Sequence, residues 1–188
     1  MRKLFSLLCC LFLVSCGEPV AAPPATAAET PPTTSGIDID ARLKTLNLTL
    51  PTLGVPRANY VHAVTTGKLV FLAGKGPTRA DGTRVDGKLG ADLTVEQGYA
   101  AARLVGLQQL AALKLELGDL GRVKRIVKVH GMVNATPDFT NQSKVINGFS
   151  DLMVEVFGEA GKHARAAVGM GSLPGGMAVE IEVVVEIY

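Results

Sequence analysis

HARAAVGMGSLPGGMAVEIEVVVEIY, residues 163–188, reads as two strands joined by a turn. In its second half Val179, Ile181, Val183, Val185 and Ile187 alternate with Glu180, Glu182, Val184 and Glu186. Successive side chains of a strand point to opposite faces, so this spacing predicts a strand over 177–187 with one face in a core and the other turned outward. Ala164 to Met170 predicts the strand before it, and Leu173-Pro174 the turn between them, because proline presets φ. A sheet with one apolar face must bury that face against another layer, and the rest of the chain has to supply it.

Towards the N-terminus, Val145, Phe149, Leu152 and Val156 recur at helical spacing before Gly158, which predicts a helix with a glycine stop. Val123 to Val133 is rich in β-branched residues and predicts a strand. Thr94-Val95-Glu96-Gln97 has the spacing of a capping box, and Ala101, Leu104, Val105, Leu107, Leu110, Ala111 and Leu117 continue a helix of about six turns to Gly118. Gly74 to Gly90, rich in glycine, predicts a long loop. Asn59–Thr65 and Lys68–Gly74 are strand-like around Thr66-Gly67, which predicts a tight hairpin. Asp38 to Leu48 predicts a short helix capped by Asp38 or Asp40, and Leu50 to Pro56 a loop, since Pro51 and Pro56 bracket Gly54. The order β-β-α-β-α-β-β predicts an α+β fold: a mixed sheet with two helices packed on one face, and an uncovered face that must meet water or a partner.

Residues 1–15 have a different character. Arg2 and Lys3 precede Leu4 to Val14, which is uncharged and too short for the roughly 20 apolar residues of a membrane span. This is the n-region and h-region of a secretion signal. Leu13-Val14-Ser15-Cys16 looks like the lipobox of bacterial lipoproteins, in which the cysteine becomes the lipidated first residue. Cys16 is therefore the expected lipidation site, and residues 1–15 the signal peptide. Gly17, rather than Asp, follows the cysteine, and by resemblance to enterobacterial sorting this favours the outer membrane. The expectation is a domain held in the periplasm by its lipid. Residues 16–36, rich in Ala, Pro and Thr, form the linker, whose Pro23-Pro24 and Pro31-Pro32 pairs favour extended conformers. Residues 37–188 are the domain.

Composition excludes several classes of function. Of 188 residues 47% are hydrophobic and 19% charged, enough for one domain with its own core. The 19 Lys and Arg exceed the 17 Asp and Glu by two, and loss of Arg2 and Lys3 with the signal leaves the remainder neutral. Nothing electrostatic then favours DNA, RNA or an anionic membrane surface. The three cysteines, Cys9, Cys10 and Cys16, all lie near the N-terminus, so the domain has neither a disulfide nor a thiol nucleophile. His62, His130 and His163 lack metal-ligand spacing, so no metal is expected. Ser150 and Ser172 stand outside any Gly-x-Ser-x-Gly turn and have no evident His/Asp pair, which argues against a serine hydrolase. Gly74-Lys75-Gly76 lacks the spacing of a phosphate-binding loop and reads as turn chemistry.

His163-Ala164-Arg165, Leu173-Pro174 and Val179-Glu180-Ile181-Glu182, in this element order, resemble the RidA (YjgF-type, L-PSP endoribonuclease-like) family, and more narrowly its YjgF/chorismate-mutase-like branch. The resemblance covers about residues 56 to 188. It implies a chorismate-mutase-like fold and a homotrimer with a ligand cleft between subunits. It implies further that Arg165 binds a substrate carboxylate, that Glu180 is the catalytic group that orients or activates water, and that Tyr60 and Asn147 line the cleft with the backbone of Gly74 and Ala167. Two positions depart from the family: Ala73 stands where a serine is frequent, and Ala167 where a cysteine is frequent. The implied reaction is hydrolysis of a 2-imino acid, or its enamine tautomer, to a 2-oxo acid and ammonia, with no cofactor. Non-catalytic binding of a small carboxylate metabolite is the alternative, and cleavage of RNA a weaker one. From the residues alone, Arg165 is either this ligand group or a structural ion-pair partner of Glu180 or Glu182.

Overall fold

The computed structural model describes residues 38–56 and 58–188. The expected signal peptide, Cys16 and the expected linker to residue 36 lie outside the described residues. Helix α1 (Ile39–Thr45) starts at Asp38, whose carboxylate accepts from the Ala41 N–H at 2.9 Å. There follow β1 (Ala63–Thr66), β2 (Leu69–Lys75), α2 (Val95–Leu117), β3 (Val123–Asn134), α3 (Gln142–Phe157), β4 (Ala164–Met170) and β5 (Val179–Ile187). One sheet has the order β1-β2-β5-β3-β4, antiparallel except for β3 and β4, which run parallel and are joined through α3. This is the expected mixed sheet, with α2 and α3 packed on one side.

The apolar stripe of each element explains that layering. Val70 and Leu72 of β2, Ile126, Val129 and Val133 of β3, and Val179, Ile181, Val183, Val185 and Ile187 of β5 are all buried. They join one core with Val105, Leu110 and Leu113 of α2 and Val145, Ile146, Phe149, Leu152 and Val156 of α3. Full burial of each such side chain is worth about 1.5–3 kcal/mol relative to exposure. The Thr94–Gln97 capping box forms, Gln97 Oε1 accepting from the Thr94 N–H at 2.8 Å and the Thr94 hydroxyl from the Gln97 N–H at 3.3 Å. The two helices cross closely at Gly148, where any Cβ would run into the Tyr99 backbone carbonyl. Arg103–Glu155 and Tyr99–Asp151 contacts flank the crossing.

Several boundaries differ from expectation: the first helix ends at Thr45 rather than Leu48, and the last strand begins at Val179 rather than Met177. The first strand begins at Ala63 rather than Asn59, its ladder with β2 running from Ala63 opposite Leu72 to Thr66 opposite Leu69. The hairpin turn is Gly67-Lys68 rather than Thr66-Gly67, since Gly67 takes the positive φ of 55° that a two-residue connection needs at its start. The expected long loop is pinned to the body of the fold: Val85 and Leu89 are buried, and Leu89 exchanges backbone hydrogen bonds with Asn134 and Thr136.

Register defines the uncovered face. Val64, Phe71, Val184, Lys128 and Ala164 form one cross-sheet row, Glu182, His130 and Ala166 the next, and Glu180, Met132 and Val168 a third. Val64, Phe71 and Val168 are 55%, 45% and 37% exposed, so this face carries apolar surface that neither helix covers.

Candidate functional site

Arg165 lies on the edge strand β4, in register with buried Val129 of β3, and therefore on the side of the sheet that carries the helices. Its half-buried guanidinium meets α3: Nη1 donates to Asn147 Oδ1 at 2.8 Å and to Ser150 Oγ at 2.9 Å. Arginine only donates, so Ser150 accepts there, and its own proton goes to His163 Nε2 at 3.0 Å. His163 Nδ1 lies 2.7 Å from the Gly161 carbonyl oxygen, which only accepts, so Nδ1 carries the proton and Nε2 is the acceptor. Burial, and secondarily the Arg165 charge, hold the His163 imidazole below its ordinary pKa against the opposing pull of the Gly161 carbonyl. The imidazole also stands edge-on to the Phe149 ring, with centroids 6.3 Å apart. Ala167, in register with Gly131, shares Arg165's side of β4.

The partners of Arg165 are neutral. Among the described residues no carboxylate forms an ion pair with it, and its Nε and Nη2 have no hydrogen-bond partner. The alternative of pairing with Glu180 or Glu182 is thereby corrected: β3 separates β4 from β5, and both glutamates lie on the opposite face of the sheet.

Glu180 forms a second group with Gly74. The Glu180 carboxylate lies against the Gly74 backbone, where the Cβ of any other residue would overlap Oε1. Gly74 sits in the irregular stretch between Leu72 and Lys75, and buried Gln109 of α2 holds that stretch by donating from Nε2 to the Ala73 carbonyl at 3.1 Å and the Ile181 carbonyl at 2.6 Å. Burial, and then the Glu182 charge, push the Glu180 carboxyl above the ordinary glutamate range, with Lys75 pulling the other way. The Lys75 ammonium is itself lowered by burial, with Glu180 opposing, and it meets His62 Nδ1 at 2.9 Å while His62 Nε2 donates to the Gly54 carbonyl at 2.8 Å. Tyr60 is 53% exposed in the segment before β1.

Apart from exposed Tyr60, the expected site residues therefore fall into two sets within one chain. Arg165, Asn147 and Ala167 stand at the β4 edge on the helix side, and Glu180 and Gly74 on the open face; Val129 is the register partner of Arg165 and Met132 that of Glu180. Sequence reasoning missed Gln109 and the Ser150–His163 contact. Gln109 left a signal, being a polar side chain within an apolar helical run. Ser150 and His163 left none, since only the passage from α3 into β4 brings them together. A cavity of about 530 Å³ lies between Leu50–Gly54, Arg79 and the Leu104 and Leu107 side of α2, and none of the expected site residues lines it. Among the described residues no group of three or more His, Cys, Asp or Glu side chains is placed to hold a metal ion.

Comparison with known proteins adds a family. Residues 40–182 match the family described as "YjgF/chorismate_mutase-like, putative endoribonuclease". Protein TCP17 of Trypanosoma cruzi is 47% identical over 150 residues, covering 79% of this chain and 94% of that protein. Among solved structures, Atu1372 of Agrobacterium tumefaciens, of unknown function, superposes with a TM-score of 0.74 at 43% identity, covering 80% of this chain and 94% of its own. A "putative endoribonuclease" of Shewanella oneidensis superposes with a TM-score of 0.77 at 33% identity, covering 80% of this chain and 100% of its own.

Proposed function

The chain belongs to the YjgF/chorismate-mutase-like (RidA) family, and from that premise we propose that it binds a small carboxylate metabolite between subunits and hydrolyses 2-imino or enamine acids to 2-oxo acids and ammonia. One observation carries the binding half: Arg165 is a half-buried cation with neutral partners and an unengaged Nε/Nη2 edge, and burying a charge without a counter-ion is costly unless a ligand supplies one. Guanidinium meets both oxygens of a carboxylate at once, which selects that ligand class. Burial pushes the Glu180 carboxyl above its ordinary pKa, the direction that suits a group passing a proton, and its carboxylate lies against the Gly74 backbone. The test is ammonia release from freshly generated 2-iminopropionate. Turnover supports the hydrolase, binding of a 2-oxo acid without turnover leaves a metabolite-binding protein, and neither removes both.

Within one chain Arg165 and Glu180 lie on opposite sides of the sheet, so a shared cleft requires a second copy. We take the assembly to be a homotrimer whose open sheet faces turn inward, which would cover Val64, Phe71 and Val168 and set Arg165 of one copy across a ligand cleft from Glu180 of the next. Light scattering at micromolar concentration is expected to return the mass of three chains, and a monomer would remove the interfacial cleft. Lipid attachment at Cys16 would hold the domain in the periplasm, with the outer membrane favoured by Gly17. Cys16→Ala is expected to abolish acylation and membrane fractionation. An unmodified N-terminus by mass spectrometry in the native host would refute the anchor.

A further inference from the structure

A guanidinium has five N–H donors, and Arg165 commits the two on Nη1, one to Asn147 and one to Ser150. The three that remain include one on Nε and one on Nη2 that point the same way, which is a complete fork for a carboxylate. What distinguishes the arrangement is the chemistry of the acceptors. An aspartate or glutamate would hold Arg165 as firmly, but would also neutralise it. Here the acceptors are an amide and a hydroxyl. The hydroxyl is available to Arg165 because its own proton is drawn to His163 Nε2, and Nε2 is available because Gly161 fixes the proton on Nδ1.

We propose that Asn147, Ser150 and His163 form an uncharged clamp that fixes the orientation of Arg165 without discharging it, so that both the fork and the full positive charge are presented to the ligand. The inference rests on the carboxylate-binding reading above. It makes Ser150 and His163 positioning residues. It also gives Asn147 a more specific part than lining a cleft, since its Oδ1 is spent on Arg165.

Asn147→Asp tests the clamp, because it changes charge at nearly constant shape and places a carboxylate where Oδ1 now lies 2.8 Å from Nη1. Pyruvate titrated calorimetrically into the full-length protein should bind to this variant roughly tenfold or more weakly than to the unmutated protein, the scale of a lost charge-assisted interaction. The melting temperature should hold or rise, since an ion pair replaces a neutral hydrogen bond. A merely structural asparagine predicts no loss of affinity when the fold is intact. Ser150→Ala should weaken pyruvate binding, and Ser150→Thr, which restores a hydroxyl, should recover it. Unchanged affinity in Asn147→Asp overturns the clamp and leaves carboxylate binding standing. Affinity lost together with melting temperature also overturns it, because charge cancellation requires no unfolding. If the unmutated protein binds no pyruvate, the carboxylate reading falls and the clamp with it.

Discussion

Arg165→Lys is expected to weaken binding of a 2-oxo acid by about 1.5–3 kcal/mol, the worth of a hydrogen bond to a charged group, or roughly 10- to 150-fold in Kd. Lysine keeps the charge and loses the geometry. Its ammonium is a compact point charge, whereas the Nε/Nη2 edge of Arg165 offers two parallel donors held in a plane by Asn147 and Ser150. Stability should barely move. Arg165 has no ion-pair partner among the described residues, so the substitution breaks no ion pair, and a lysine amine can still donate to the same neutral acceptors. Calorimetric titration alongside a thermal melt separates the outcomes. A lowered melting temperature with unchanged affinity would make Arg165 a structural residue and end its assignment as the anchor.

How far the sequence discloses this site depends on which physical signal each residue leaves. The 179–187 strand was legible because alternation of Val and Ile with Glu states which side chains share a face, and the burial of β5 follows it residue by residue. The capping box and the glycine after Phe157 were legible because helix ends require particular local chemistry. Strand neighbours were not legible. β4 and β5 are consecutive and joined by a short turn, which invites pairing between them, yet β3 lies between. The cause is the crossover through α3, which lays β4 parallel to β3 on the far edge, and period-two patterning carries no information about such order. That one fact moves Arg165 away from Glu180 and Glu182 and gives it Asn147 and Ser150 instead. The same crossover returns the chain from α3 so that His163 reaches Ser150, thirteen residues earlier.

The Glu180 half of the site was legible as a residue but not as an environment. On an alternating strand a glutamate ordinarily reads as solvated surface, and Glu182, 56% exposed in its side chain, fits that description. Glu180 differs because β2 is irregular between Leu72 and Lys75, and Gln109 holds the Ala73 and Ile181 carbonyls on the other side of that irregularity. The carboxylate then lies on Gly74 and is partly desolvated, which raises its pKa. No pattern in residues 179–187 announces this, since the cause is contributed by β2 and α2.

Glu180→Gln is expected to lower turnover of 2-iminopropionate by about 10²-fold or more, the usual contribution of a general acid or base, while pyruvate affinity is retained. Glutamine preserves the shape over Gly74 and removes the group that carries the proton, so the loss should fall on kcat rather than on binding. The pH profile gives an independent reading. Water activation needs the carboxylate form, so turnover of the unmutated protein should rise with pH through a limb above the ordinary glutamate range, in the direction that burial and Glu182 impose. That limb should vanish in the variant. Lys75 sets how high the limb lies, because its charge is the one influence lowering the Glu180 pKa. Lys75→Gln should therefore move the limb to higher pH, a shift that a glutamate remote from the reaction would not produce. Turnover that survives Glu180→Gln with its profile intact would take Glu180 out of the mechanism and leave the proton transfer to a group on the Arg165 wall of the cleft.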